Sequence, residues 1–212
     1  MTEVKICGLC DAGAARAAAG AGADLIGFHF CSSRRRITPE EARLIVEALD
    51  RRIPGAPRRW VRPRLVGVFI DPSEAEVRDV VDYVGLDLVQ LHGSEPPGFQ
   101  APRPIVKALK VRDGAVPDAG GWPDPVLLDS WSPDQRGGTG RAWDWGAARG
   151  LLSRRRVFFA GGLHPGNVGG VVRAFRPHGV DVSSGVESAV RVKDIDRVRA
   201  FVQAVRDADA AG

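Results

Sequence analysis

Two side chains suited to proton transfer stand at the ends of short apolar runs: Cys7 follows Val4-Lys5-Ile6, and Asp129 follows Val126-Leu127-Leu128. A thiol and a carboxylate on separate strands of one sheet can flank a small substrate as base and acid. Each also has an ordinary role, since a lone Cys is often a small core residue and a lone Asp a loop cap. A free thiol, with a pKa of about 8.5, offers little thiolate at neutral pH, so a base of this kind needs help from its surroundings. Lys5 shares the face of Cys7 only if the strand stays regular to its end, and the source of that help is open.

A second kind of chemistry lies late in the chain. Val180-Asp181-Val182-Ser183-Ser184-Gly185-Val186-Glu187 joins a strand end, a small-residue turn and a predicted helix start. Gly185 permits close backbone approach, Ser183 and Ser184 offer hydroxyls, and a helix N-terminus offers unpaired N–H groups, which together suit an anion. Phe158-Phe159-Ala160-Gly161-Gly162-Leu163 is another Gly-rich strand end just upstream. Two such corners in succession fit the phosphate site between the last two strands of an eight-fold barrel.

The elements that must position these groups alternate between short apolar runs and helical patterns, as repeated strand–helix units around a parallel sheet do. Strands are predicted at 4–6, 25–30, 65–70, 84–91, 104–109, 125–128, 156–160 and 179–182. Helices follow the first, second, third, seventh and eighth, with a short one at 143–151. Thr38-Pro39 and Asp71-Pro72 open two of them as N-cap and first helical residue. Residues 113–122 are too rich in Gly and Pro for a full fifth helix. The expected fold is therefore α/β, one compact (β/α)₈ barrel spanning residues 1–212, with the helix after strand 5 short or missing. A doubly wound open sheet would want a Gly-rich turn after its first strand, which Gly8 alone does not supply. In a barrel, chemistry belongs at the C-terminal strand ends, which adds Ser33-Arg34-Arg35-Arg36, His92 and Lys107 to the candidates.

Composition excludes several classes. A net charge of +4, from 30 basic and 26 acidic residues, is too mild for a nucleic-acid surface but suits a small anionic substrate. The Pro-rich basic run at 51–64 reads as a solvated loop. Three cysteines, Cys7, Cys10 and Cys31, cannot all pair and show no zinc spacing, so free thiols, a reducing compartment and no metal are expected. Neither a membrane-spanning run nor a leader is evident, so the expected location is the cytoplasm. Without an apolar stripe that demands a partner, a monomer is expected.

Val4-Lys5-Ile6-Cys7-Gly8-Leu9, Gly22-Ala23-Asp24, Gln90-Leu91-His92-Gly93, Leu127-Leu128-Asp129, Gly137-Gly138-Thr139-Gly140 with Asp144-Trp145, Ala160-Gly161-Gly162-Leu163 and the stretch from Asp181 to Glu187 together resemble, in order and end to end, the motifs of the phosphoribosylanthranilate isomerases of tryptophan biosynthesis. The resemblance implies a (β/α)₈ barrel that rearranges an aminoaldose to an aminoketose with no cofactor. It implies Cys7 as general base and Asp129 as general acid, for which the apolar run before Asp129 offers a desolvated setting. Arg35, flanked by Arg34 and Arg36, would take the anthranilate carboxylate, with His92 and Asp181 as further substrate contacts. Gly161, Gly162, Ser184 and Gly185 would hold the phosphate, with Gly138 and Thr139 closing above it.

Cys10, Trp143 and His164 depart from the family pattern. Cys10 is expected close enough to Cys7 to invite oxidation, and His164 close to the phosphate. Three rival functions define tests. A bifunctional isomerase of histidine and tryptophan synthesis is disfavoured by Cys7, since that design ends its first strand in Asp. A Schiff-base aldolase would use Lys107. A non-catalytic barrel would bind a phosphoribosyl ligand without turning it over.

Overall fold

A computed structural model describes residues 1–50, 62–130 and 143–212. Eight parallel strands close into a barrel in chain order: β1 (Glu3–Cys7), β2 (Leu25–His29), β3 (Arg64–Phe69), β4 (Leu88–Leu91), β5 (Ile105–Val111), β6 (Val126–Ser130), β7 (Val157–Phe159) and β8 (Gly179–Val182). The ring closes through β1 and β8, with Lys5 opposite Asp181. Around it run α1 (Ala12–Ala21), α2 (Pro39–Asp50), α3 (Glu74–Val84), a single turn α4 (Arg149–Leu152), α5 (Val168–Phe175) and α6 (Ile195–Ala210). The expected barrel is thus observed, and no helix follows β4 or β5.

Strand alternation sorts side chains into two sets. Lys5, Leu25, Val66, Gln90, Val106, Leu127 and Phe158 point inward as one packed layer. Val4, Ile6, Phe28, Phe69, Leu109, Leu128, Phe159 and Val180 point outward into the main core beneath the helices. In that outer core Phe28, Phe69, Phe159 and Phe201 are fully buried, each contributing roughly 1.5–3 kcal/mol by area. Two residues beyond Lys5 and Leu127 on the inward face, Cys7 and Asp129 emerge at the C-terminal mouth.

Local chemistry sets most helix starts. Thr38 and Glu41 cap α2 reciprocally: the Glu41 amide donates to Thr38 Oγ1 at 3.2 Å, and the Thr38 amide donates to Glu41 Oε2 at 2.7 Å. Asp11 and Asp194 accept amides at the starts of α1 and α6. The predicted Asp71 cap is corrected: Ser73 caps α3, and Asp71, at φ 48°, accepts the Ser94 amide at 2.6 Å. The fourth strand also starts later than expected, at Leu88, because Gly85 at φ 79° ends α3 in the left-handed region.

Where helices are missing, loop residues do their work. Phe99, Ala119 and Trp122 are buried over the outer face of β5. Lys107, on that face, reaches Glu95 Oε2 at 2.5 Å and the Gly93 carbonyl at 2.6 Å. Between Asp144 and α4 the chain makes a 3₁₀ turn, Trp145–Ala148, rather than one continuous helix. Residues 51–61 of the basic run lie outside the described residues.

Candidate active site

Cys7, His92 and Asp129 reach the mouth because alternation continues one step past the inward layer, and loop residues complete it. Cys7, His29, Ile70, His92, Asp129, Gly161 and Asp181 line one open pocket, together with Arg35 and the corner from Ser183 to Gly185. The structure therefore brings together Cys7, Asp129, Arg35, His92, Asp181, Gly161, Gly162, Ser184 and Gly185. Gly138 and Thr139 lie outside the described residues.

Cys7 is buried between two nitrogen groups. Lys5 Nζ lies 3.0 Å from its sulfur and 3.0 Å from Asp181 Oδ1, while His29 Nε2 lies 3.2 Å from the sulfur. The strand stays regular to its end, so Lys5 is the cation next to the thiol. Room for this pair comes from Gly27, opposite Cys7 in the neighbouring strand, where a Cβ would stand 2.7 Å from the sulfur. Burial pushes the Cys7 thiol up, against the pull of Lys5. Burial would lower Lys5, but Asp181 and Cys7 outweigh it and hold the ammonium above its ordinary value. Cys10 does not touch Cys7: its thiol faces the Gly8 and Arg35 carbonyls, and it is Cys31 that packs with Cys7 and Val68. Burial pushes the Cys31 thiol up to about 11, so this neighbour is a poor thiolate.

Across the mouth, Asp129 is buried with His92 Nε2 at 3.4 Å from its Oδ2. Gln90 Nε2 stands 3.2 Å from His92 Nδ1, and because an amide nitrogen can only donate, the His92 proton belongs on Nε2 and faces Asp129. Among the described residues His92 Nε2 and Gln90 Oε1 are buried with no well-formed hydrogen bond. Such groups carry a cost of about 1–3 kcal/mol each until a polar ligand satisfies them.

Arg35 sits where the two rims meet, between the loop after β2 and the segment after β8. Its Nε and one terminal nitrogen grip Glu187 bidentately at 2.7 and 2.6 Å, and Lys193 Nζ reaches the same carboxylate at 3.0 Å. Burial raises the Glu187 carboxyl, but Arg35 and Lys193 outweigh it and hold it below the ordinary carboxylate range. Two cations share one anion here, which leaves net positive charge and the remaining guanidinium N–H groups at the pocket.

The two Gly-rich corners meet as expected, but the helix between Ser184 and the chain end starts later. Ser184–Val186 is a lone 3₁₀ turn, followed by a hairpin of β9 (Glu187–Ala189) and β10 (Val192–Lys193), and α6 begins only at Ile195. Anion affinity at this corner must therefore come from backbone N–H groups and hydroxyls of the turn. A Cβ at Gly185 would overlap the Leu163 carbonyl, and this contact locks the two corners together. Gly161 and Gly162 are both left-handed, at φ 78° and 73°. Trp143 donates its indole N–H to the Ala160 carbonyl at 2.9 Å, so this departure from the family pattern braces the corner. His164 turns back on its own loop, accepting the Gly166 amide at 3.2 Å, and stays outside the pocket lining.

Lys107 is not part of this site, which removes the Schiff-base alternative: it lies on the outward face of β5, paired with Glu95. Conversely, His29, Gln90, Glu187 and Lys193 belong to the site's framework and were not among the expected residues. Alternation from Gly27 to His29 could have found the first of these. Among the described residues no cluster of His, Cys, Asp and Glu could hold a metal. No described helix is long and apolar enough to cross a membrane.

Residues 4–204 match the family model for N-(5'-phosphoribosyl)anthranilate (PRA) isomerase. The isomerase of Pelobacter propionicus is 40% identical over 98% of this chain and 97% of its own. The crystal structure of phosphoribosyl anthranilate isomerase from Thermus thermophilus superposes with a TM-score of 0.83 at 36% identity, covering 97% of this chain and 99% of the other. A phosphoribosyl anthranilate isomerase crystallised with reduced 1-(o-carboxyphenylamino)-1-deoxyribulose 5-phosphate superposes at 0.77, with 31% identity over 98% of this chain and all of that one. On this match over nearly its whole length, the chain belongs to the N-(5'-phosphoribosyl)anthranilate isomerase family.

Proposed function

We propose that this protein converts N-(5'-phosphoribosyl)anthranilate into 1-(2-carboxyphenylamino)-1-deoxyribulose 5-phosphate, the isomerisation step of tryptophan biosynthesis. The observation that carries the residue assignment is that Cys7 and Asp129 line one pocket from different strands, with Arg35 on its rim and the Gly161-Gly162 and Ser184-Gly185 corners at its edge. Asp129, entering protonated, gives its proton to the furanose ring oxygen as the C1'–O bond breaks and the nitrogen lone pair forms a C1'=N iminium. The Cys7 thiolate takes the C2' proton, and the C–H electrons become the C1'=C2' bond while nitrogen regains its lone pair. The resulting enol then passes to the ketone as its C2' hydroxyl loses a proton and a proton is delivered to C1'.

Chemistry explains why a buried thiol suffices. The iminium acidifies C2', and its charge next to the sulfur favours the thiolate that burial opposes. Arg35, held by Glu187, takes the anthranilate carboxylate through its remaining N–H groups, and His92 donates from Nε2 to the substrate or to Asp129. Asp181 holds Lys5 and borders the ribose. The phosphate rests on Gly161, Gly162, Ser184 and Gly185, with Gly138 and Thr139 over it. The protein works as a monomer in the cytoplasm: the large exposed apolar side chains among the described residues, Met1, Leu44, Tyr83, Val190 and Val192, are scattered over the N-terminus, α2, α3 and the hairpin.

The test follows the loss of anthranilate-type fluorescence when purified enzyme meets freshly made phosphoribosylanthranilate. Wild type is expected to consume it rapidly, and Cys7→Ala and Asp129→Asn each to lose roughly 10² to 10⁴ in kcat. A folded wild type that binds a phosphorylated analogue without consuming substrate would overturn the assignment in favour of a non-catalytic barrel.

A further inference from the structure

His29 is a mouth residue whose contact with the Cys7 sulfur the proton transfers above do not use. It closes the inward face of β2, half-buried, with its two ring nitrogens committed in opposite directions: Nε2 to Cys7 Sγ at 3.2 Å and Nδ1 to Ser33 Oγ at 2.9 Å. Ser33 Oγ, which also accepts the Arg35 backbone N–H at 3.1 Å, can either donate to His29 Nδ1 or accept from it. A thiolate at Cys7 only accepts, so beside it the neutral ring bears its hydrogen on Nε2, directed at the sulfur, and the Ser33 hydroxyl donates to Nδ1. Lys5 Nζ approaches the same sulfur at 3.0 Å from the neighbouring strand.

We propose that His29 is a positioning residue for the general base: with Lys5 it forms a two-donor cradle that holds the Cys7 sulfur as a thiolate, and the Ser33 hydroxyl supports the tautomer that this requires. The proposal rests on the assignment of Cys7 as the base. Two donors from different strands also aim the sulfur lone pairs, so the thiolate faces the pocket in one orientation. Burial and the neighbouring cations Lys5, Arg35 and Lys193, with His92, keep the imidazole well below its ordinary pKa, so it stays neutral while it donates. The other charged groups that face the sulfur are Asp181, which opposes the thiolate, and Lys193, which favours it.

The experiment measures Cys7 alkylation by iodoacetamide against pH in the ligand-free enzyme, quantified on the Cys7 peptide by mass spectrometry. It compares wild type, His29→Leu, which removes the donor, and His29→Gln, whose amide N–H can replace it. The proposal expects Leu to move the alkylation midpoint up by about one unit, equivalent to tenfold less thiolate at neutral pH, and Gln to restore most of it. In turnover, kcat at neutral pH falls about tenfold for Leu with KM nearly unchanged, and the acid limb of the pH–kcat/KM profile shifts in the same direction. Coincident midpoints in all three proteins, or Gln as impaired as Leu, would overturn the cradle. Cys7→Ala separates the two claims, because turnover surviving in that variant defeats the base assignment while the alkylation curves still judge the cradle.

Discussion

Lys5 and Lys107 are both buried lysines in mid-strand, both within 3.0 Å of a buried carboxylate, and they do unrelated work. Lys5 points into the barrel, where its ammonium divides itself between Asp181 and a thiol at the open mouth. Lys107 points out of it, where Glu95, the Gly93 carbonyl and the Trp122 ring, 5.2 Å away, surround it on every side that matters. Glu95 is satisfied as well, accepting the Asp71 and Gly93 amides at 2.9 and 3.1 Å. This pair replaces a missing helix by tying the loop after β4 to β5. A buried ion pair is therefore no mark of a catalytic site by itself; which face of the strand carries it, and whether a third group is left facing solvent, decides.

Breaking the two pairs separates their roles. Lys5→Met removes the cation beside Cys7 and strands Asp181, so kcat should fall by roughly 10² or more, with a stability loss alongside. Lys107→Met strands Glu95 away from the pocket and should cost about 3–5 kcal/mol of stability, seen in urea melts, with kcat within about twofold of wild type. Comparable losses of kcat in the two variants would erase the distinction. A third charged pair lies between these extremes. Glu187→Gln leaves Arg35 in place but ungrips it, and the expected outcome is a KM rise of about tenfold, near 1.4 kcal/mol, with kcat little changed. A fall in kcat at constant KM would instead put Glu187 on the side of Lys5.

Much of this contrast was legible in the sequence, and the exceptions share a cause. All eight strands stood out because apolar runs bounded by Gly, Pro and Asp are a local signal, and Cys7 and Asp129 stood at strand ends where a barrel puts chemistry. The late start of β4 was missed because Val84 and Leu86 continue an apolar run across Gly85, whose left-handed turn is what ends α3. The helix expected after Ser184 gave way to a hairpin because Asp194, not the serine pair, supplies the cap. Arg35 was legible but its partner was not: Glu187 is 152 positions away, and closure of the ring alone brings them together. Lys193 follows no period that would announce it. Groups defined by one strand were readable, whereas groups defined by two were not.

The smallest effect tests whether the mouth differs electrostatically from the opposite end of the barrel, where His178 stands at the head of β8. Burial lowers both His29 and His178, but His178 has Glu3 at 3.5 Å to offset it, whereas the main charged neighbours of His29, Lys5, Arg35 and Lys193 with His92, lower it further. A histidine whose folded pKa lies below its unfolded value of about 6.5 is less protonated in the native state than in the unfolded one, so stability falls as pH drops below about 6.5. Glu187 has the same sign in a lower window: its folded pKa is depressed, so its contribution is full above about 4.3 and is lost only as pH falls further. Calorimetry at pH 7 and 5.5 thus samples the histidines and leaves Glu187 ionised throughout. Wild type minus His29→Gln isolates the imidazole from the carboxylates of the mouth, and the expected result is that the variant loses less melting temperature over this interval, by a few degrees at about 2–4 °C per kcal/mol. His178→Gln should change the interval less than His29→Gln does. If His178 proves the larger, the cation-lined mouth is not the harsher place for an imidazole to gain a proton, and the electrostatic difference between the two ends of the barrel disappears.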